Sequence, residues 1–399
     1  MKDVLMMVHT MGNLLPSDND RYTYLAKMLV SNGAKVEIVT SDFEHHKKKY
    51  RNLQLTDGRS YTVTYLHENA YERNISLKRI AGHISFAERL KKYLKQRNKP
   101  DVIYCAIPPT ISAKVISDYA YRNNVKFVID VQDLWPESFR IALGNNVVSN
   151  AILKPIAYFA NKAYERADII AAVSYTYVNR AANCNNKSKQ KLSVYLGTDG
   201  NLADEALNSD IKIQKPECEF WLGYVGNIGA SYDFLSVFKA LQILQKKGID
   251  NIRFVIIGDG NLRDKIQDDA KIYYQNTEIT GYLPYNEMMK RLSLCELAIN
   301  PIIPGTASSV VNKVGDYAAA GVPVINTQDN DEYRNLVDTY KVGLNTVPGN
   351  PNDIADKIEE LYQNQALRQE MGQNNRRLFV DKFDRARTYG SLVDAILEK

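Results

Sequence analysis

Residues 300–326 read NPIIPGTASSVVNKVGDYAAAGVPVIN and hold the densest set of chemistry-capable side chains in the chain. An apolar strand ends at Asn300, and a loop rich in Pro, Gly and Ser follows. Asn312, Lys313 and Asp316 then open a short Ala-rich helix that stops at Gly321, before the strand VPVIN. A helix start offers unpaired N–H groups to an anion. Lys313 adds a full charge there, and Asp316 is an acceptor-only group suited to a diol such as ribose. A phosphate cradle next to a diol acceptor is what a nucleotide diphosphate requires.

Similar junctions recur upstream. GYVGNIGASYDFL (223–235) runs a strand into Gly226, Asn227 and Gly229, where glycines let backbone approach a ligand. VIIGDGNLRDKI (255–266) puts Gly258 and Gly260 after another strand, without the third glycine of a dinucleotide fingerprint. ITGYLPYNEM (279–288) places Tyr282 and Leu283 between strand and helix. In FVIDVQDLWPESFR (127–140), Asp130, Asp133 and Glu137 crowd a strand end with Trp135, where open α/β sheets bind ligands. HTMGNLLPSDND (9–20) follows the first strand with Gly12 and Asn13, and Ser17 or Asp18 can cap the next helix.

These segments resemble the retaining family 4 glycosyltransferases of the GT-B fold. Asp316 with AAAGVPVI matches the second half of that family's donor signature. The first acidic position falls near Ser308, so that half is absent. Asn312-Lys313 is similar to a subgroup that builds bacterial surface polysaccharides (capsule and O-antigen). The resemblance implies two doubly wound domains facing across a cleft, with the nucleotide sugar on the second domain and the acceptor on the first. It implies donor contacts from Gly12, Asn13, Gly226, Asn227, Gly229, Gly258, Gly260, Tyr282, Leu283, Ser308, Ser309, Asn312 and Asp316. Catalytic roles fall to Lys313 and to Asp133, with Asp130, Trp135 and Glu137 on the acceptor side. Departures are plain: Asn227 stands where relatives carry Arg, no Lys follows it, and Gln132 stands near the usual His. The phosphate charge must therefore be met elsewhere, which raises the importance of Lys313.

The elements that must position these groups are legible as alternation. Apolar runs at 4–8, 35–40, 62–66, 102–106, 125–131, 168–173 and 192–196, then 221–226, 252–257, 296–300 and 322–326, are separated by helical stretches. This pattern predicts βαβ units and parallel sheets, an α/β chain. A length of 399 residues suits two domains. The polar run 199–219 reads as a linker between a domain at 1–198 and a donor domain at 220–382. The family resemblance places the terminal helix, about 383–399, back on the first domain.

Composition narrows the classes. No 18-residue apolar run spans a membrane, and the strand-like N-terminus lacks a signal pattern. Cys105, Cys184, Cys218 and Cys295 lie far apart, against a zinc site and for a reducing cytoplasm. Residues 1–200 hold 29 Lys+Arg against 18 Asp+Glu, net +11, and residues 201–399 hold 22 against 28, net −6. The basic half, with HHKKKYR (45–51) and a basic helix at 76–99, predicts an anionic membrane surface as partner, not nucleic acid. In that helix Leu77, Ile80, Ile84, Ala87 and Leu94 form the expected apolar face. No P-loop, nucleophile elbow, HExxH or DxD occurs, so metal-independent transfer without a cofactor is expected. The reading is thus a cytoplasmic, peripherally membrane-bound enzyme using a nucleotide sugar, with UDP expected, and a lipid-linked saccharide acceptor. A nucleotide-sugar epimerase, a silent sugar-nucleotide binder and, last, a nicotinamide dehydrogenase are the alternatives.

Overall fold

A computed structural model describes residues 1–12, 20–52, 59–74, 76–139, 144, 146–306 and 309–398. Asn13, Ser17, Asp18 and Ser308 lie outside the described residues. The chain divides into two compact units, Met1–Val194 with Tyr389–Lys399, and Tyr195–Thr388.

The first unit is built on β1 (Asp3–Met7), β2 (Lys35–Ser41), β5 (Thr62–Leu66), β6 (Val102–Ile107), β7 (Lys126–Val131), β8 (Ile169–Ala172) and β9 (Gln190–Ser193), with a small hairpin, β3 (Phe43–Glu44) and β4 (Lys49–Tyr50), beside it. The sheet is wholly parallel in the order β5-β2-β1-β6-β7-β8-β9. Strands such as VIYCAI are buried along their whole length, which is why they read as unbroken apolar runs. The terminal helix Gly390–Leu397 belongs to this unit. Tyr389, Leu392, Val393 and Ile396 pack with Val4, Met6, Leu25 and Val36 in one core.

The second unit repeats the plan with β10 (Phe220–Val225), β11 (Ile252–Ile257), β12 (Thr277–Gly281), β13 (Leu297–Asn300), β14 (Val324–Asn326) and β15 (Gly343–Asn345), in the order β12-β11-β10-β13-β14-β15. Strand order therefore reverses between β10 and β13, and in the first unit between β1 and β6. Ligands of such sheets bind outside the carboxyl ends at that switch point.

Two expectations need correction. Residues 199–219 are not simply a linker: Asp199 caps a helix, Gly200–Leu207, whose Ala203 and Ala206 are buried in the second unit's core. Small residues there left too weak an apolar signal in the sequence. The helix Leu77–Gln96 buries Gly82, His83, Ser85, Phe86, Ala87, Leu90 and Leu94, whereas Leu77, Ile80 and Ile84 are 84%, 47% and 45% exposed. Of the expected apolar face only Ala87 and Leu94 point inward; the rest of the inward side is set by Phe86 and Leu90, by His83, whose ring packs against His9 and Trp135, and by Ser85, which is hydrogen-bonded to Asn69 N–H and Gly82 O.

Candidate functional site

At the second unit's switch point two loops meet. Residues 226–233 leave β10, and residues 301–306 leave β13, with 309–312 leading into the next helix. They are zipped by backbone bonds, Asp233 N–H to Pro301 O at 2.9 Å and Ile303 N–H to Ser231 O at 3.0 Å. The helix Lys313–Ala319 starts where the second loop ends. Lys313 is buried, and its Nζ has no hydrogen-bond partner among the described residues. The amine sits 3.7 Å from the centroid of the Tyr224 ring and 3.8 Å from that of Tyr232. A Cβ on Gly226 would lie 3.3 Å from it, so the glycine keeps the cage open on one side. Cation–π attraction holds the ammonium in part. Burial without a carboxylate partner still pushes its pKa well below the usual lysine range.

Asp316, one turn on, accepts a hydrogen bond at Oδ1 from Thr198 Oγ1 (2.7 Å) and from the Tyr285 hydroxyl (3.3 Å). Burial raises its pKa, and those two hydrogen bonds oppose the rise. Asn312 is exposed at the helix start and makes no side-chain cap. Ser309 lends its carbonyl to Gln328 Nε2 at 2.6 Å. Gln328 belongs to a buried amide network at the ends of β13 and β14, with Asn300 Nδ2 donating to Asn326 Oδ1 (3.0 Å) and to Gln328 Oε1 (3.2 Å). This network fixes the loop before Lys313. Isolated amides carry no such signal in sequence.

The glycines at 226, 258 and 260 serve the backbone more than a ligand. Gly258 has φ +156°, and a Cβ there would fall 1.8 Å from Gly226 O; one on Gly260 would fall 2.3 Å from Ile228 O. The loops after β10 and β11 interlock, with Gly226 N–H bonded to Ile257 O (2.9 Å) and Ile228 N–H to Asp259 O (2.8 Å). Those two N–H groups are therefore engaged by the backbone and are not phosphate donors. Asn227 is exposed, with its carbonyl accepting from the Tyr224 hydroxyl at 2.6 Å, and Gly229 is buried. Tyr282 stands 81% exposed past β12, open for a flat ring, while Leu283 packs on the core. Arg263, passed over in the sequence, pairs with Asp259 at 3.3 Å at the start of the next helix.

In the first unit the acceptor-side candidates separate. Asp130 is fully buried, paired with Arg21 Nη2 at 2.8 Å and bonded to the Tyr104 hydroxyl, so no acceptor hydroxyl reaches it. Asp133 takes Leu134 N–H (2.8 Å) and Trp135 Nε1 (3.1 Å) on its two oxygens, and burial raises its pKa. Its carboxylate shapes its own loop. Glu137 pairs with Arg180. Trp135 is half-buried, with its ring beneath the Arg79 guanidinium at 5.0 Å. Gly12 gives its carbonyl to Arg51 Nη1 at 2.8 Å. At this unit's switch point lies a network the sequence did not disclose. His9 Nδ1 meets Ser112 Oγ at 2.8 Å and Nε2 meets Glu68 Oε2 at 3.0 Å, all buried. His83 joins them, with ligand-type atoms within 4.8 Å of one another. Both His9 nitrogens are already engaged, so a cation there would have to break the His9–Glu68 contact.

Comparison with known proteins accords with this geometry. The family model described as glycosyl transferases group 1 matches residues 205–378, and that of glycosyltransferase family 4 matches residues 21–195. An uncharacterized glycosyltransferase of Methanocaldococcus jannaschii is 30% identical over 138 residues, 34% of this chain and 38% of that one. The capsular polysaccharide biosynthesis glycosyltransferase CapM of Staphylococcus aureus is 21% identical over 366 residues, 89% of this chain and 92% of its own length. Among solved structures, Anabaena HepE in complex with UDP-glucose superposes with a TM-score of 0.67 at 13% identity, covering 99% of each chain. Two doubly wound units, each matched by a glycosyltransferase model, place the chain in family 4 of the glycosyltransferases with the GT-B fold: it is a glycosyltransferase.

Proposed function

We propose that the protein transfers a sugar, with retention of configuration and without a metal, from a UDP-sugar bound by the second unit to a lipid-linked or saccharide acceptor bound by the first, in bacterial surface polysaccharide assembly. The observation that carries this reading is the buried, unpartnered Lys313 amine at the switch point. A buried cation without a partner is costly, and a diphosphate is the partner that would complete it. As the glycosidic bond breaks, charge grows on the leaving diphosphate, and a preorganised ammonium stabilises it. Tyr282 offers a face to the uracil, and Asp316 an acceptor to the ribose diol. Support for the substrate comes from HepE, solved with UDP-glucose, and for the process from CapM, named for capsular polysaccharide. The amphipathic exposure of Leu77, Ile80 and Ile84 within the basic half supports peripheral attachment to the inner face of the membrane.

The test is a thermal-shift panel of nucleotides and nucleotide sugars on the wild type and on Lys313→Ala, followed by turnover. A bound ligand stabilises the folded state by mass action. UDP should raise the melting temperature of the wild type most, and Lys313→Ala should lose about 10²–10³ in turnover at saturating donor. Near-normal turnover in that variant would sink the assignment. UDP released without any acceptor, together with an altered free sugar, would point to the epimerase alternative.

A further inference from the structure

A second cationic pocket, in the first unit, is left unexplained by donor binding. The β3–β4 hairpin turn carries Lys48 at φ +56°, a left-handed conformation that side chains other than glycine seldom adopt. The turn delivers Lys48 Nζ to within 5.0 Å of the Tyr71 ring centroid. From the helix Leu77–Gln96, Arg79 comes to 5.9 Å from the same ring and 5.0 Å from that of Trp135. Both cations are tied to one residue: Lys48 Nζ donates to Asn74 Oδ1 at 2.6 Å and Arg79 Nη1 to Asn74 O at 2.7 Å. His45 completes the group, its Nδ1 2.7 Å from the Tyr71 hydroxyl and 3.3 Å from Lys48 Nζ.

Among the described residues no carboxylate pairs with Lys48 or Arg79. Glu44 is taken by Lys47 at 3.1 Å; the buried Glu68, bonded to His9, is the one nearby carboxylate whose charge reaches Lys48, Arg79 and His45. Arg79 Nε is buried with no hydrogen-bond partner. Burial first, then the Arg79 and Lys48 charges, drive His45 down to about 3, so it stays neutral beside them. Like charges are thus held together against repulsion, on aromatic walls, with one guanidinium donor unused. Cations gathered in excess of the one nearby carboxylate, and not directly paired with it, suit an arriving anion.

We propose that Lys48, Arg79 and His45, walled by Tyr71 and Trp135, form a subsite for the diphosphate group of the acceptor. The identity of the acceptor rests on the transfer reading above; the anion site itself does not. The diphosphate could be carried by a polyprenyl lipid or by a soluble molecule.

Full-length protein carrying Lys313→Met, which removes the donor-site cation, is titrated calorimetrically with inorganic pyrophosphate. Saturable binding is expected. Lys48→Gln and Arg79→Gln should each weaken it about tenfold or more, the loss of one charge-assisted hydrogen bond, and exposed Lys92→Gln should leave it unchanged. Lys48 lies on a hairpin turn, so its variant tests the idea even if Arg79→Gln does not fold. No saturable binding, or binding indifferent to both variants, would overturn the proposal, as would binding of a glucuronate-ended saccharide in preference to pyrophosphate. Farnesyl diphosphate in detergent micelles binding more tightly than pyrophosphate, with the same variant losses, supports the site and assigns a lipid carrier; equal affinities with those losses support it with a soluble one. UDP affinity unchanged by Lys313→Met would refute the donor reading and leave this one standing.

Discussion

The Lys313 amine is held at a loss until an anion arrives, and three measurable effects follow. Replacing it with methionine, which fills similar space without a charge, should raise the stability of the ligand-free protein by about 1–3 kcal/mol while weakening UDP binding. Chemical denaturation with and without UDP measures both. The sign of the pH effect is fixed by the lowered pKa. Between that value and the usual lysine value the unfolded chain holds more protons, so wild-type stability rises with pH there and Lys313→Met removes that slope. In the same window, UDP must bring a proton to the amine, so its affinity falls as pH rises. Calorimetry in buffers of different ionisation enthalpy should show proton uptake in the wild type alone. Asp316→Asn keeps an acceptor for Thr198 and Tyr285 but loses the charge, so UDP binding should weaken by about 1.5–3 kcal/mol with little change in folding; wild-type affinity by calorimetry would refute the ribose role. Lys313 and Asp316 were legible because they sit in one short segment with a loop and a helix start. Tyr224 and Tyr232, which cage the amine, were not, since an aromatic near a strand end reads as core until the fold brings it over a cation. Asp130 misled for the complementary reason: its partners Arg21 and Tyr104 lie far away in sequence.

The interlocked loops after β10 and β11 set the next scale. Gly258→Ala puts a methyl group into Gly226 O at a backbone angle that suits glycine, so the loops must part. A loss of about 2 kcal/mol or more is expected in the denaturation of the second unit, with UDP affinity falling because Lys313 abuts Gly226. A wild-type denaturation curve would show that the loops are not coupled. Parallel strands were the easiest elements to read, since burial on both faces writes them as apolar runs. Helix faces were harder. In Leu77–Gln96 hydrophobic spacing alone chose Leu77, Ile80, Ile84, Ala87 and Leu94; only the last two are buried, beside His83, Ser85 and Phe86. Short β15 and the hairpin β3–β4 carry too few residues for any period to show.

For the whole molecule, charge and connectivity matter most. The first 200 residues carry +11 and the remainder −6. With the exposed Leu77, Ile80 and Ile84 in the basic half, this predicts salt-sensitive sedimentation with anionic vesicles. Each Lys or Arg near such a bilayer contributes about 1 kcal/mol. Changing the three aliphatic residues to Ser should reduce binding to anionic vesicles without altering the melting temperature, and reversing Lys47, Lys48, Lys49, Lys92 and Lys95 should abolish it. Equal sedimentation on neutral vesicles would show that the charges are merely solvated. The chain also enters the second unit at Tyr195 and comes back at Tyr389 to finish the first. On a ribosome, the half made first is therefore completed last. Until Tyr389, Leu392, Val393 and Ile396 emerge, the core they share with Val4, Met6, Leu25 and Val36 stays incomplete through synthesis of the entire second unit, so a nascent chain stalled before residue 389 should be the species that chaperones hold.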